Sequence, residues 1–211
     1  VTLQRGGDLQ VMQISHAVDG DSTRERLTQL TGQGAQVVRS DHPLSCIHPG
    51  HRLLRVSAEL QAGRCGIADY YRFSVGDGER VAGRKAAMLA ILPHDHYRYG
   101  YRIWLDTETG FPLQTQLIGD DNGALEHVKF ADISLNKPID LAMLAPSVDT
   151  TSFRWFNHPT RHRSESVSTP WQATALPRGF RAVATHGEKL PGSEEVTTHI
   201  VYSDGLASVS V

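Results

Sequence analysis

Apolar and polar residues alternate with period two over most of the chain, and short clusters of Gly, Asn and Asp interrupt the alternation. That is the pattern of antiparallel strands joined by hairpins. Turns are predicted at Arg5-Gly6-Gly7-Asp8, Asp19-Gly20-Asp21, Gly76-Asp77-Gly78, residues 106–110, Asp120-Asp121-Asn122-Gly123 and Ser203-Asp204-Gly205. Each supplies a residue that tolerates positive φ. Residues 9–18 place Met12, Ile14 and Val18 on one face and Leu9, Val11 and Ala17 on the other, so one face of that sheet needs a second cover. Residues 96–105 predict a long strand with Tyr97, Tyr99, Tyr101, Ile103 and Leu105 on one side and Arg98, Gly100, Arg102 and Trp104 on the other. Residues 113–118 and 125–135 continue that meander across Asn122-Gly123, and 24–30 reads as a strand rather than a short helix.

Helical signals are few. Residues 57–62 and 140–144 can each make a turn or two, with Asp140 as the N-cap of the second. A polar stretch, 157–169, rich in Ser, Thr and Arg and followed by Pro170, reads as a linker. Further strands are expected at 180–186, 197–203 and 206–211. The fold class expected is α+β, mostly antiparallel β, with domains at 1–156 and 170–211.

The chain has 211 residues, with 21 Lys+Arg against 23 Asp+Glu and a formal net charge of -2. This balance fits neither a basic nucleic-acid binder nor an acidic disordered tail, so no nucleic-acid partner is expected. The longest apolar run, 86–92, is far shorter than the roughly 20 residues of a membrane-spanning helix. Val1 opens directly into strand-like sequence and residues 207–211 stop inside an alternating run, so both ends read as cut. Cys46 and Cys65 are compatible with one disulfide or with two free thiols.

Catalytic motifs are not found. The sequence holds no GxSxG, HExxH or phosphate-binding loop, and Cys46 lies near His42 and His48 outside any known nucleophile context. His94 and His96 would share a strand face as a metal pair, but spacing specifies no third ligand and a polar loop is the simpler account. Pro159 breaks the helix that would align His158 with His162, and Glu194-Glu195 borders a turn. Neither a catalytic residue nor a metal site is assigned. Eleven histidines could serve as a pH sensor, although scattered surface histidines need no function. What remains is binding: a curved sheet apolar on both faces can leave a concavity for acyl chains or an extended peptide. Met12, Ile14, Phe73, Met88, Ile91, Trp104 and Phe111 are its candidate lining, ordinary core being the competing account of each. Phe153, Arg154 and Trp155, with Arg161 and Arg163 nearby, are of the residue types that anchor protein interfaces, the alternative being that they pack the end of the first domain.

The order of motifs adds a resemblance. Tyr70-Tyr71-Arg72-Phe73, Gly83-Arg84-Lys85-Ala86, the run from Arg98 to Asp106 (RYGYRIWLD), Thr109-Gly110-Phe111-Pro112-Leu113, Trp171, Leu176-Pro177-Arg178-Gly179-Phe180 and Tyr202-Ser203-Asp204-Gly205-Leu206 together resemble the RseB/MucB family. The resemblance covers most of the chain, residues 41–64 fitting it poorly. It implies a half-barrel N-terminal domain similar to the lipoprotein carriers LolA and LolB, with a smaller β-rich C-terminal domain. It also implies a periplasmic, non-enzymatic regulator without cofactor. The partner it implies is the periplasmic region of a transmembrane anti-sigma factor of the RseA or MucA type, shielded from proteolysis and released when lipopolysaccharide or another acylated lipid binds. A homodimer is compatible with this. Competing readings are a periplasmic carrier of lipoproteins or acyl chains, and a lipid hydrolase with His94 or His96 as base.

Overall fold

A computed structural model of the chain describes residues 1–19, 22–32, 34–40, 66–146, 169–189 and 196–211. Within them the alternating segments form strands β1 (Thr2–Arg5), β2 (Asp8–Asp19), β3 (Ser22–Gln29), β4 (Gln36–Ser40), β5 (Tyr71–Val81), β6 (Arg84–Pro93), β7 (Gly100–Asp106), β8 (Pro112–Ile118), β9 (Ala124–Lys129), β10 (Arg181–Lys189), β11 (Val196–Ser203) and β12 (Ser208–Ser210). Two short 3-10 helices, Gly66–Asp69 and Leu141–Leu144, are the helical material among the described residues. The molecule is mostly antiparallel β, as the alternation predicts. No helix among the described residues is long and apolar enough to cross a membrane.

Nine strands form one sheet in the order β4-β3-β2-β1-β9-β8-β7-β6-β5. Two meanders are joined where β1 pairs on one side with β2 and on the other with β9. Gly6 at φ 57 lets the chain turn in two residues between β1 and β2, where Arg5 faces Asp8. Met12, Ile14 and Val18 pair across β3 with Gln29, Leu27 and Thr23, the face the alternation assigns to them. Asp140 caps the second 3-10 helix by accepting from Ala142 N at 2.9 Å.

Several expectations change. Gly76-Asp77-Gly78 is not a turn but lies inside β5. A Cβ on Gly78 would stand 2.6 Å from the Ala86 carbonyl oxygen, and one on Gly76 would meet the Met88 side chain, so these glycines permit close approach to β6 rather than a reversal. The reversal comes at Ala82-Gly83, with φ 49 and 75, where both residues take the left-handed conformation a tight hairpin requires. The strand expected over 96–105 begins only at Gly100, and that expected over 125–135 ends at Lys129. The helix expected at 57–62 and both cysteines lie outside the described residues.

The remaining strands form a three-stranded antiparallel sheet, β10-β11-β12. Residues group into two units. The larger holds 1–40, 73–92 and 99–146, and the smaller holds 66–72 and 93–98 together with the described residues from 169 on. A single cut near 157 does not foresee those two early segments. In the larger unit Val81, Ala86 and Leu113 form a buried cluster with Trp104, Phe111 and Ile133 packed on it. In the smaller unit Ile67, Tyr71, Ile200, Tyr202 and Leu206 are buried.

Candidate functional site

In the smaller unit the chain converges on one buried guanidinium. The Asp95 carboxylate accepts from Tyr97 N at 3.1 Å, which folds 95–97 into an Asx turn and ends the alternation there. Arg98 consequently points inward instead of lying on a strand. Its Nε donates to Asp204 Oδ2 at 2.6 Å, and both side chains are fully shielded from solvent. Its two terminal nitrogens donate to Asp95 Oδ2 and to the Arg178 carbonyl oxygen. Tyr71 donates its hydroxyl to Asp204 Oδ2 at 2.9 Å, while Asp204 Oδ1 accepts from the Leu206 and Ala207 amides at 2.9 and 2.7 Å. The rings of Tyr70 and Phe180 each lie 5.0 Å from the guanidinium carbon. Burial lowers the Arg98 pKa, but the hydrogen bonds and charges of Asp204 and Asp95 outweigh it and hold it above the usual value. A buried charge so fully partnered is a structural rivet.

A second polar cluster secures a turn of the larger unit. Arg84 Nη2 donates to Asp106 Oδ2 at 2.8 Å and Glu108 Oε2 at 2.9 Å, and Thr109 Oγ1 adds a 2.5 Å bond to Asp106. The Arg84 and Thr109 hydrogen bonds hold the Asp106 carboxyl below its ordinary pKa. These contacts explain the Gly-Arg and Leu-Asp…Thr-Gly pieces of the sequence as turn chemistry.

Register places the candidate lining residues. Met88, Trp104, Gln114, Lys129, Thr2 and Val11 are successive cross-strand partners from β6 to β2, so they share one face. The next row on that face is Ala90, Arg102, Gln116, His127, Gln4 and Leu9. Met88 is thus brought against Trp104, which shares a cluster with Phe111. Phe111 also packs edge-to-face on Phe130, ring centres 5.5 Å apart. Met12 and Ile14 lie one and three residues from Val11, and Ile91 lies one residue from Ala90, so the period of two turns these three to the reverse face. Ile91 is buried, Phe73 half-buried on β5. Phe153, Arg154, Trp155, Arg161 and Arg163 lie outside the described residues, as do His158, His162 and Glu194-Glu195.

His94 and His96 are exposed and flank the Asp95 turn, which removes the strand alternation that would pair them. Among the described residues no group of three His, Cys, Asp or Glu could hold a metal ion. An apolar hollow of ≈ 250 Å³ lies in the smaller unit, lined by Trp171, Ala173, Ile200, Tyr202 and Val211 among others.

The polar middle of the sheet face is what sequence reasoning missed. Gln114 is buried with its Oε1 unpartnered, and His127 Nε2 is likewise buried without a partner. Burial, reinforced by the Lys129 charge, pushes the His127 pKa down. Arg102 and Lys129 are half-buried, and among the described residues neither has an ion-pair partner. The one available signal was a set of polar residues at every second position of adjacent strands.

Comparison with known proteins gives two family matches, the MucB/RseB N-terminal domain over residues 1–148 and the MucB/RseB C-terminal domain over 165–211. The sigma factor AlgU regulatory protein MucB of Pseudomonas aeruginosa is 30% identical over 213 residues, covering 99% of this chain and 66% of that protein. The sigma-E factor regulatory protein RseB of Escherichia coli K12 is 24% identical over 217 residues, covering 95% of this chain and 65% of that protein. This chain thus spans about two thirds of these curated relatives, 66% and 65%. The crystal structure of MucB in complex with MucA(peri) matches with a TM-score of 0.71 at 29% identity, over 99% of this chain and 70% of that one. A crystal structure of MucB alone matches with a TM-score of 0.60 at 25% identity, over 99% and 70%. With both domain models matched in order along its length, the chain belongs to the MucB/RseB family.

Proposed function

We propose that this chain belongs to a periplasmic, non-enzymatic negative regulator of sigma-factor signalling. It binds the periplasmic region of a transmembrane anti-sigma factor, protects it from regulated proteolysis and releases it when lipopolysaccharide or another acylated lipid binds. The observation that carries this reading is the likeness, over nearly the whole chain, to MucB solved in complex with MucA(peri). In the same reading Met88, Trp104 and Phe111 belong to one apolar lining for acyl chains, extended by Phe73, while Met12, Ile14 and Ile91 serve the reverse face. Phe153, Arg154, Trp155, Arg161 and Arg163 are the proposed partner contacts. Two domains with a linker at 157–169 belong to it as well, the early segments 66–72 and 93–98 being counted with the C-terminal one rather than with the rest of 1–156.

A lipoprotein carrier would use the same kind of sheet, but it has no need of the segment that matches the C-terminal family model. The test is calorimetric titration of the protein with the periplasmic segment of its anti-sigma factor, before and after saturation with lipopolysaccharide. Tight binding that lipid weakens is expected, and reciprocity then requires the segment to weaken lipid binding by the same factor. Partner binding that lipid leaves untouched would remove the sensor half of the reading. No partner binding at all would favour the carrier.

A further inference from the structure

We propose that His186 and His199 form a zinc site on the outer face of the three-stranded sheet. None of the residues given above to lipid or to the anti-sigma partner takes part in it. Spacing along the chain hides the pair, because His186 lies on β10 and His199 on β11, and register alone sets them directly opposite each other. Ile200 and Tyr202, the buried residues of β11, lie on one face of the sheet, so alternation turns His199 and its cross-strand partner to the other, where both are half-buried. Ser210 stands on that face too. It pairs with Val201, two residues beyond His199, and its hydroxyl oxygen lies 3.4 Å from His199 Nδ1.

The two ring centres are 5.4 Å apart and the ring planes are inclined at 39°. An imidazole nitrogen binds zinc at about 2.0–2.1 Å and stands about 1.2 Å in front of its own ring centre, so two rings on one tetrahedral ion have centres about 5.2 Å apart. Square-planar ligation would bring adjacent rings to about 4.5 Å and opposed rings to about 6.4 Å. The observed separation is therefore the one that tetrahedral zinc requires, to about 0.2 Å. A ligating histidine uses one ring nitrogen and gives the other to a hydrogen bond that fixes its tautomer and orientation. Ser210 supplies that bond at His199: with Nδ1–H donating to the hydroxyl oxygen, the lone pair sits on Nε2 and is available to the metal. Among the described residues no third His, Cys, Asp or Glu joins the pair, so two of the four positions fall to water and the ion is held reversibly. An ion so bound clasps β10 to β11 and stabilises the smaller sheet.

The experiment is calorimetric titration of the untagged whole protein with zinc chloride, comparing wild type with His186→Gln, His199→Gln and, as a control, His94→Gln. Wild type and His94→Gln are expected to bind zinc alike, while His186→Gln and His199→Gln each lose about tenfold or more in affinity. Saturating zinc is expected to raise the Tm of wild type and to leave that of the two paired-histidine variants unmoved. X-ray absorption of the wild-type zinc complex reads the ligands without any substitution, and two imidazoles with two oxygens are expected. Sulfur neighbours, or any imidazole count other than two, would place the ion elsewhere and overturn the proposal. Zinc affinity unchanged in either His186→Gln or His199→Gln would overturn it as well, as would a wild type that binds no zinc.

Discussion

At the scale of single residues, the Arg98–Asp204 pair shows how much one buried charge can decide. Asp204 accepts from Arg98, Tyr71 and two backbone amides, so removing the guanidinium leaves a carboxylate in a dry site with a full charge and too few donors. Arg98→Met should therefore cost about 3–5 kcal/mol in urea unfolding, whereas the double change Arg98→Met with Asp204→Leu should recover a large part of that loss. A double variant no more stable than the single one would mean the pair contributes by attraction rather than by avoiding an orphaned charge. Sequence alone placed Arg98 on a strand face, because alternation is blind to an Asx turn made by a side chain two residues before the amide it binds. The motif pieces Tyr70-Tyr71, Arg178-Gly179-Phe180 and Asp204-Gly205-Leu206 were legible as words of a family resemblance. Their meeting around one guanidinium is a property of the folded chain that no local pattern carries.

At the scale of elements, most of the strands were legible because period two and the Gly, Asn and Asp clusters are local signals. Strands β2, β3 and β8, the Asp140 cap and the hairpin strands of the smaller sheet follow the sequence expectation, while β7 and β9 are shorter than expected. Failures came where a glycine has two possible meanings. Gly76 and Gly78 looked like turn residues, yet they serve close packing within β5, and Ala82-Gly83 makes the turn instead. The two glycines should respond differently to a methyl group. At Gly76 the new Cβ meets the far end of the Met88 side chain, which can change rotamer, so Gly76→Ala should cost well under about 1 kcal/mol. At Gly78 it meets the Ala86 backbone oxygen, which moves only with the strand, so Gly78→Ala should cost about 1–3 kcal/mol. Chemical denaturation of the two variants checks the order, and equal costs would mean that the β5–β6 pair yields as easily as a side chain. The face of the candidate site was half-legible for a related reason. Alternation along one strand is visible in sequence, but the pairing of Trp104 with Gln114 and of Gln114 with Lys129 depends on register across strands distant in the chain.

At the scale of the whole molecule, the composition of the smaller unit changes what a domain boundary means. A cut at 156/157 separates segments that belong together, because 66–72 and 93–98 lie before it while their partners Arg178, Phe180 and Asp204 lie after it. A fragment of residues 1–156 would keep Arg98 and Tyr71 but lose the carboxylate that both donate to. Arg98 would retain Asp95, an interaction within one turn, and the aromatic sandwich around it would lose its Phe180 side. The larger sheet, whose pairings from β1 to β9 are all internal to the first 129 residues, has no such dependence. Hydrogen exchange should therefore show the sheet amides of the fragment, such as those of β7 and β8, protected as in the intact chain, while Tyr70 N and His94 N lose most of their protection. Those two amides now donate to the Ile67 and Tyr70 carbonyl oxygens at 2.9 Å each, bonds that lie wholly within the early segments. Protection that survives in the fragment would show that the early segments hold their conformation alone, and that the rivet fastens the C-terminal strands to an already formed base. Lost protection together with an intact sheet would show that the smaller unit folds only when chain from both sides of the cut is present, as Arg98 and Asp204 require of each other.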